Sequence, residues 1–533
     1  MDWLFGASSR LDRRDMMARA VGAGLCVAGL AREASAQVRF SAYPFALGIA
    51  SGEPSDDGFV IWTRLAPEPF NADGAMPNLP VEVSWEVAAD EQFRRVLRAG
   101  TAMAVPELAH AVHVEVAGLP PGRVCFYRFR VAGIDSPVGR ARTLPRRGDD
   151  LSALSFVTAG CQRWEQGLFT AWRRIAEEDI AFVFHYGDYI YEYGRVAAEP
   201  GGRPVIRAMP DGFGPCRTLA DYRRRYGLYK TDPDLQAAHA SCVFLPSFDD
   251  HEVANNWAGD SGPRGTASDR FLIRRAAAFQ AWYEHMPVRR RALPRGPDLV
   301  AYRAFGFGRL ATLAVLDTRS FRTPQPCGDG IRAGCDEALE DSRTLLGAAQ
   351  ENWLDGVLRA GGSVWQVLAQ QVLFAAMDWR SFGRSTTQER HAGDMDKWDG
   401  AAAGRERVLA MLRRVERANP VVLTGDAHIG LALDLHRDGR DPASPCIGVE
   451  FLATSISSGG DGRALLRNDR MLRADNPHLK FAGNERGYSL HRVTPRQWQA
   501  DFRVVPKVSV AGSPVLTRKS LVVEAGRPGL VDA

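Results

Sequence analysis

Apolar residues alternate with polar ones in the first part of this chain and then gather into short unbroken runs, and that change divides it. From about Phe45 to Arg147, the segments Phe59–Thr63, Val81–Val87, Val112–Val116 and Tyr127–Val131 alternate or cluster β-formers between Gly/Pro/Asp turns. This pattern predicts a small antiparallel β-sandwich of about 100 residues. His110 and His113 fall inside it and read as structural histidines. Beyond Pro145 the strands lose their alternation and end in polar chemistry. Leu154–Ala159 runs into Gly160-Cys161, Ala181–Tyr186 into Gly187-Asp188, and Val421–Thr424 into Gly425-Asp426-Ala427-His428. Val243–Leu245 is soon followed by Asp249-Asp250-His251, Leu313–Leu316 by Asp317-Thr318-Arg319, and Trp365–Ala369 by Gln370-Gln371. Helical stretches lie between them, including Tyr222–Tyr229, whose apolar stripe reads as core. Buried strands flanked by helices predict a layered α/β sheet, whose ligands gather beyond the carboxyl ends of the strands.

Composition narrows the class. A length of 533 residues predicts two domains, drawn at 37–147 and 148–533. With 45% hydrophobic and 24% charged residues the chain is globular rather than disordered. The net charge of +4 is close to balance and argues against a nucleic-acid surface. The 62 arginines against only five lysines are interspersed with acids and read as genome composition, not as a binding patch. Residues 1–36 carry Arg13-Arg14 before Asp15-Met16-Met17, an apolar run from Ala20 to Ala31, and Ala34-Ser35-Ala36. Charged region, short apolar region and small-residue cleavage site predict a secretory signal, and the arginine pair resembles the twin-arginine type. The apolar run is short of the about 20 residues a membrane helix needs, and no later stretch is apolar enough, so the mature chain is expected in the periplasm or outside the cell. Loss of Cys26 leaves an odd number of cysteines in an oxidising compartment. Cys327 and Cys335 sit in a Gly-rich loop and suit a local disulfide; Cys125 and Cys446 read as core or disulfide residues, and Cys161 as a thiol kept for chemistry.

The strand ends offer Cys161, Asp188, Tyr191, Asp249, Asp250, His251, Asp426 and His428. Thiolate, phenolate, carboxylate and imidazole together suit a hard trivalent or divalent metal beside an oxygen-loving one. Two cations about 3.5–4 Å apart would activate water and neutralise a phosphate ester's oxygens. Without them so many acids at one point would repel each other. No Gly-x-Ser-x-Gly elbow stands where a serine hydrolase needs one.

Eight motifs occur in order: Ala159-Gly160-Cys161-Gln162, Gly187-Asp188-Tyr189-Ile190-Tyr191-Glu192, Asp221-Tyr222-Arg223-Arg224-Arg225-Tyr226, Asp249-Asp250-His251-Glu252-Val253, Asn255-Asn256-Trp257, Leu316-Asp317-Thr318-Arg319, Trp398-Asp399-Gly400 and Gly425-Asp426-Ala427-His428. The chain thereby resembles the calcineurin-like metallophosphoesterases, and more closely the PhoD-type alkaline phosphatase/phosphodiesterase family, along nearly all of its mature length. The resemblance implies an α+β, α-β layered metallophosphoesterase sandwich of mixed sheets flanked by helices. A small fibronectin/Ig-like antiparallel sandwich would precede it, and Gly118-Leu119-Pro120-Pro121-Gly122 followed by Tyr127 looks like the corner of such a domain. It implies Fe(III) held by Cys161, Asp188, Tyr191 and His428, with a visible tyrosinate charge-transfer colour. Asp188 would bridge to Ca(II), whose shell Asp250 and Asp426 complete; a second calcium is implied without assignable ligands. His251 becomes the candidate general acid or leaving-group stabiliser, and Arg163 or Asn255 the holder of phosphoryl oxygens, with Arg163 favoured by charge.

The expected activity is exported hydrolysis of phosphate mono- and diesters for phosphate scavenging, by in-line attack of metal-bound hydroxide without a phospho-enzyme. The alternatives are a phospholipase D-like or teichoic-acid-type diesterase, and a secreted binding module on a degenerate catalytic fold. Asp317-Thr318-Arg319 reads either as a buried ion pair or as a substrate contact, and Trp398-Asp399-Gly400 either as a loop closing over the site or as a plain turn.

Overall fold

The alternating N-terminal segment folds into eight strands: β1 (Ile49–Gly52), β2 (Phe59–Arg64), β3 (Val81–Ala88), β4 (Val96–Ala104), β5 (Ala111–Val116), β6 (Val124–Val131), β7 (Ile134–Asp135) and β8 (Gly139–Arg142). The computed structural model describes residues 39–533 except 199–203, 264–265, 383–390, 416–418 and 467. The expected signal, at 1–36, lies outside the described residues. The apolar runs that follow become β9 (Leu154–Ala159), β10 (Phe182–His185) and β11 (Val243–Pro246). Then come β12 (Arg303–Phe307), β13 (Ala311–Val315), β14 (Ile331–Ala333), β15 (Trp365–Ala369), β16 (Ala392–Asp394), β17 (Pro420–Thr424), β18 (Gly430–His436), β19 (Cys446–Leu452) and β20 (Leu479–Gly483). Four longer strands close the chain: β21 (Arg486–Val493), β22 (Gln497–Val505), β23 (Leu516–Glu524) and β24 (Arg527–Asp532).

Two mixed sheets face each other. One runs β24-β23-β22-β21-β9-β10-β11-β1-β2-β5 and the other β12-β13-β15-β17-β19-β18-β20. Their inner faces share one apolar core, in which Phe182 stacks on Phe307 of the opposite sheet and Trp365 meets Trp498 edge-on. On the outer face of the first sheet pack α1 (Thr170–Ala176), α2 (Leu219–Lys230), α3 (Pro233–Ser241) and α4 (Ser268–His285). α5 (Gly347–Ala360) and α6 (Ala402–Arg414) cover the second. Helix α2 begins at a capping box between Thr218 and Asp221 and buries Tyr222, Tyr226 and Tyr229, the stripe its sequence predicts.

The N-terminal strands divide between two sheets. β3, β4, β6, β7 and β8 form a sheet of their own, whereas β1, β2 and β5 continue the large one, because β1 pairs in parallel with β11. Four consecutive buried residues in β1 suit a strand covered on both faces. The sandwich therefore shares a sheet with the rest of the chain. His110 and His113 bond to the carbonyls of Leu79 and of Tyr283 and Met286, as structural histidines do. Cys327 and Cys335 are joined as their spacing predicts, while Cys125, Cys161, Cys216, Cys242 and Cys446 are free thiols.

Candidate metal centre

Parallel strands bring their carboxyl ends to one edge, and that edge carries the centre. β9 delivers Cys161, β10 Asp188 and Tyr191, β11 Asp249, Asp250 and His251, and β17 delivers Asp426 and His428. The loops interlock: the Cys161 amide donates to the Gly187 carbonyl (3.1 Å) and the Gln162 amide to that of Asp188 (3.1 Å). Tyr186 spans the two sheets, donating its hydroxyl to the Thr454 carbonyl at 2.9 Å. Gly160 and Gly425 lie so close to its ring that a Cβ on either would collide with it. Glycine at these two places lets the loops close on each other.

Cys161, Asp188, Asp426 and His428 all have left-handed backbone, with φ of 52°, 55°, 66° and 57°. Each such residue costs on the order of 1–3 kcal/mol, and strain of this kind concentrates at functional sites. Cys161 Sγ is 3.3 Å from Asp188 Oδ2, to which the Tyr191 hydroxyl donates at 2.8 Å. The Tyr191 oxygen also lies 3.1 Å from His428 Nε2 and accepts from Ser458 Oγ at 2.7 Å. Cys161, Asp188 and His428 thus form one triad of donors within 4.8 Å; Asp188, Asp250 and His251 form a second, and Asp249, Asp250 and Asp426 a third. All six residues expected to hold metal come to one centre, and Asp188 and Asp250 each serve two triads.

The donors suit cations in their chemistry as well as their spacing. Asp188 Oδ1, Asp249 Oδ2 and Asp250 Oδ1 are buried without a hydrogen-bond partner among the described residues. Buried carboxylate oxygens are rarely left so unless an ion takes them. Burial, and then the Asp188 charge, push the Cys161 thiol and the Tyr191 phenol well up. Burial lifts Asp250 to about 7 against the opposing charges of His251 and Arg319. Burial also opposes the charge on Asp188, yet His251 and His428 hold its carboxyl below the usual carboxylate range. A multivalent cation among these groups would reverse the upward shifts and keep the ligands ionised.

His251, a member of the second triad, is also tied to a carboxylate outside it. Its Nδ1 is 2.7 Å from Glu192 Oε2 and its ring lies 4.2 Å from that of Tyr191, centroid to centroid. Arg163 is 11% exposed, with its guanidinium 5.0 Å above the Tyr193 ring and its Nε 3.6 Å from Glu165. Asn255 is further out: its amide donates to Glu192 Oε1 at 2.8 Å and its side-chain oxygen accepts from the Tyr193 hydroxyl at 2.9 Å.

Other buried groups hold the donors in place. Glu252 accepts the amides of Asp188, Tyr189 and Asp249 at 3.1, 2.6 and 2.8 Å, tying two ligand loops to one buried carboxylate. Arg319 is fully buried, donates to Asp249 at 2.5 Å and holds Asp396 with both terminal nitrogens at 2.8 and 2.9 Å. It therefore braces the acids, and the ion-pair reading of Asp317-Thr318-Arg319 holds. Lys397 contacts Asp426 and lies 3.5 Å from Asp396. Its only sequence signal is rarity, as one of five lysines. Trp398 and Asp399 face inward, Asp399 accepting from Arg405 at 2.5 Å, so Trp398-Asp399-Gly400 is a packed turn.

The PhoD-like phosphatase family model matches residues 156–502, and that of the PhoD-like phosphatase N-terminal domain matches 31–145. Alkaline phosphatase D of Bacillus subtilis (strain 168) is 45% identical over 500 residues, which is 93% of this chain and 84% of the relative. A solved structure described as that of PhoD superposes with a TM-score of 0.89 at 44% identity, covering 93% of each chain.

Proposed function

The chain belongs to the PhoD-like phosphatase family and is a phosphoric ester hydrolase, and on that premise we propose that it is an exported alkaline phosphatase with phosphodiesterase activity whose centre holds iron and calcium. The carrying observation is the convergence of Cys161, Asp188, Tyr191, Asp250, Asp426 and His428, with buried carboxylate oxygens that have no hydrogen-bond partner among the described residues. Thiolate and phenolate beside Asp188 and His428 suit Fe(III), and the all-carboxylate side at Asp250 and Asp426 suits Ca(II). We read the chain as an Ig-like sandwich over residues 37–147 followed by a metallophosphoesterase-type catalytic unit over 148–533; two mixed sheets flanked by helices support this reading.

When bound, the ions would supply Lewis acidity, drawing charge from the phosphoryl oxygens and lowering the barrier to attack by water. Arg163, its guanidinium 5.9 Å from the Tyr191 ring, binds those oxygens. His251, its ring held by Glu192, donates a proton to the departing ester oxygen. Displacement is direct and in line, with no covalent intermediate on the protein. The intact donor set speaks against a binding module on a degenerate fold.

Elemental analysis of the purified enzyme, beside assays on a mono- and a diester, tests this reading. Iron and calcium should both be present, and calcium chelation should abolish turnover while the fold persists. Protein free of both metals yet fully active would refute it.

We place the protein in the periplasm or outside the cell, exported by the twin-arginine machinery; no helix among the described residues is long and apolar enough to cross a membrane. Replacing Arg13 and Arg14 by lysines should leave precursor in the cytoplasm, visible on a fractionated immunoblot. Undiminished export would refute the twin-arginine route.

A further inference from the structure

We propose that the disulfide-closed loop from Cys327 to Cys335 is a positioning element of the metal centre, holding Asp250 in place through Asp329 and Asn256. The inference rests on the reading that Asp250 binds calcium. Asp250 Oδ2 accepts the Asn256 amide at 2.7 Å, while Oδ1 has no hydrogen-bond partner among the described residues and lies 3.9 Å from Arg319 Nη2. Asn256 has left-handed backbone (φ 53°) and is held from two directions. Its side-chain amide donates to Asp329 Oδ2 at 2.7 Å, and its carbonyl accepts from Gln325 Nε2 at 2.8 Å. Asp329 lies inside the disulfide ring, Gln325 just before it.

The far arm of the loop reaches the other side of the same centre. β14 pairs antiparallel with β16, and the Gly330 carbonyl accepts the Met395 amide at 3.0 Å. The next residues, Asp396 and Lys397, meet Arg319 and Asp426. One loop therefore holds chain neighbours of the carboxylate half on both flanks, through Asn256 and Met395, and no hydrogen bond among the described residues joins it to Cys161, Tyr191 or His428. Gly328, Gly330 and Gly334 all have positive φ in this loop, so the chain there has much freedom to lose. The cross-link restricts that freedom and holds Asp329 where Asn256 needs it.

Partners of metal-binding groups typically contribute about 10–100-fold in metal affinity. Calcium affinity of the iron-loaded enzyme, read against a calcium buffer, should weaken by about tenfold in both Asp329→Ala and the double variant Cys327→Ser/Cys335→Ser. Iron content should stay at the unmodified level, which a general loosening of the fold would not allow. Should the double variant fail to fold, wild-type protein treated with a phosphine reductant and alkylated at the released thiols gives the same reading. Calcium affinity equal to the unmodified enzyme's in either case would overturn the proposal alone. Absence of calcium from the unmodified enzyme would overturn the calcium assignment and the proposal with it.

Discussion

Replacing Asp188 by asparagine is expected to lower kcat by about 10³-fold or more on mono- and diesters alike, a change of several kcal/mol in transition-state stabilisation. Asp188 is the donor shared between the Cys161–His428 triad and the Asp250–His251 triad. Its loss should therefore strip both metals, where loss of a terminal ligand strips one. Asparagine is the informative choice because it tolerates left-handed backbone, which Asp188 adopts at φ 55°. The amide also keeps the oxygen that accepts from Tyr191. The loss is thus one of charge and bridging capacity rather than of loop geometry. Cys161→Ser, by contrast, should lose iron and its visible band while calcium stays. Asp188→Asn protein with a full complement of both metals would remove the bridging role, whatever its activity.

The strand ends were legible because a buried strand in a layered sheet must stop at the edge, and the polar residues just past each stop face one another. Cys161, Asp188, Asp250 and His428 follow that logic. What holds them does not, since it depends on distances between loops far apart in sequence. Arg319 meets Asp249 and Asp396, 70 and 77 residues away. Nothing local marks Asp329 as the partner of Asn256 either, 73 positions before it. The parallel pairing of β1 with β11 is hidden for the same reason. A short apolar strand matches any neighbour that buries its faces, so the boundary drawn where the strand pattern changes separates two parts that share a sheet. The disulfide was the exception, because ring closure over eight positions is itself local.

His251→Ala should slow esters with poor leaving groups by about 10²–10⁴-fold, and those with good leaving groups far less, since only a basic departing oxygen needs a proton in the transition state. The geometry supports this division of labour. Glu192 holds Nδ1 at 2.7 Å and leaves Nε2 free of that tether, while Tyr191 lies against the face of the ring. Burial opposes the charged imidazolium, while the Asp250, Asp188 and Glu192 carboxylates push its pKa well up. Glu192→Gln keeps shape and hydrogen-bonding capacity while removing one of those charges. It should reproduce part of the selective loss on poor leaving groups, with metal content unchanged. A comparison of an alkyl with a nitrophenyl phosphate in both variants is decisive. Equal losses on the two esters would mean that His251 serves the metals or the phosphoryl group instead, and the acid would have to be sought among the other members of the site.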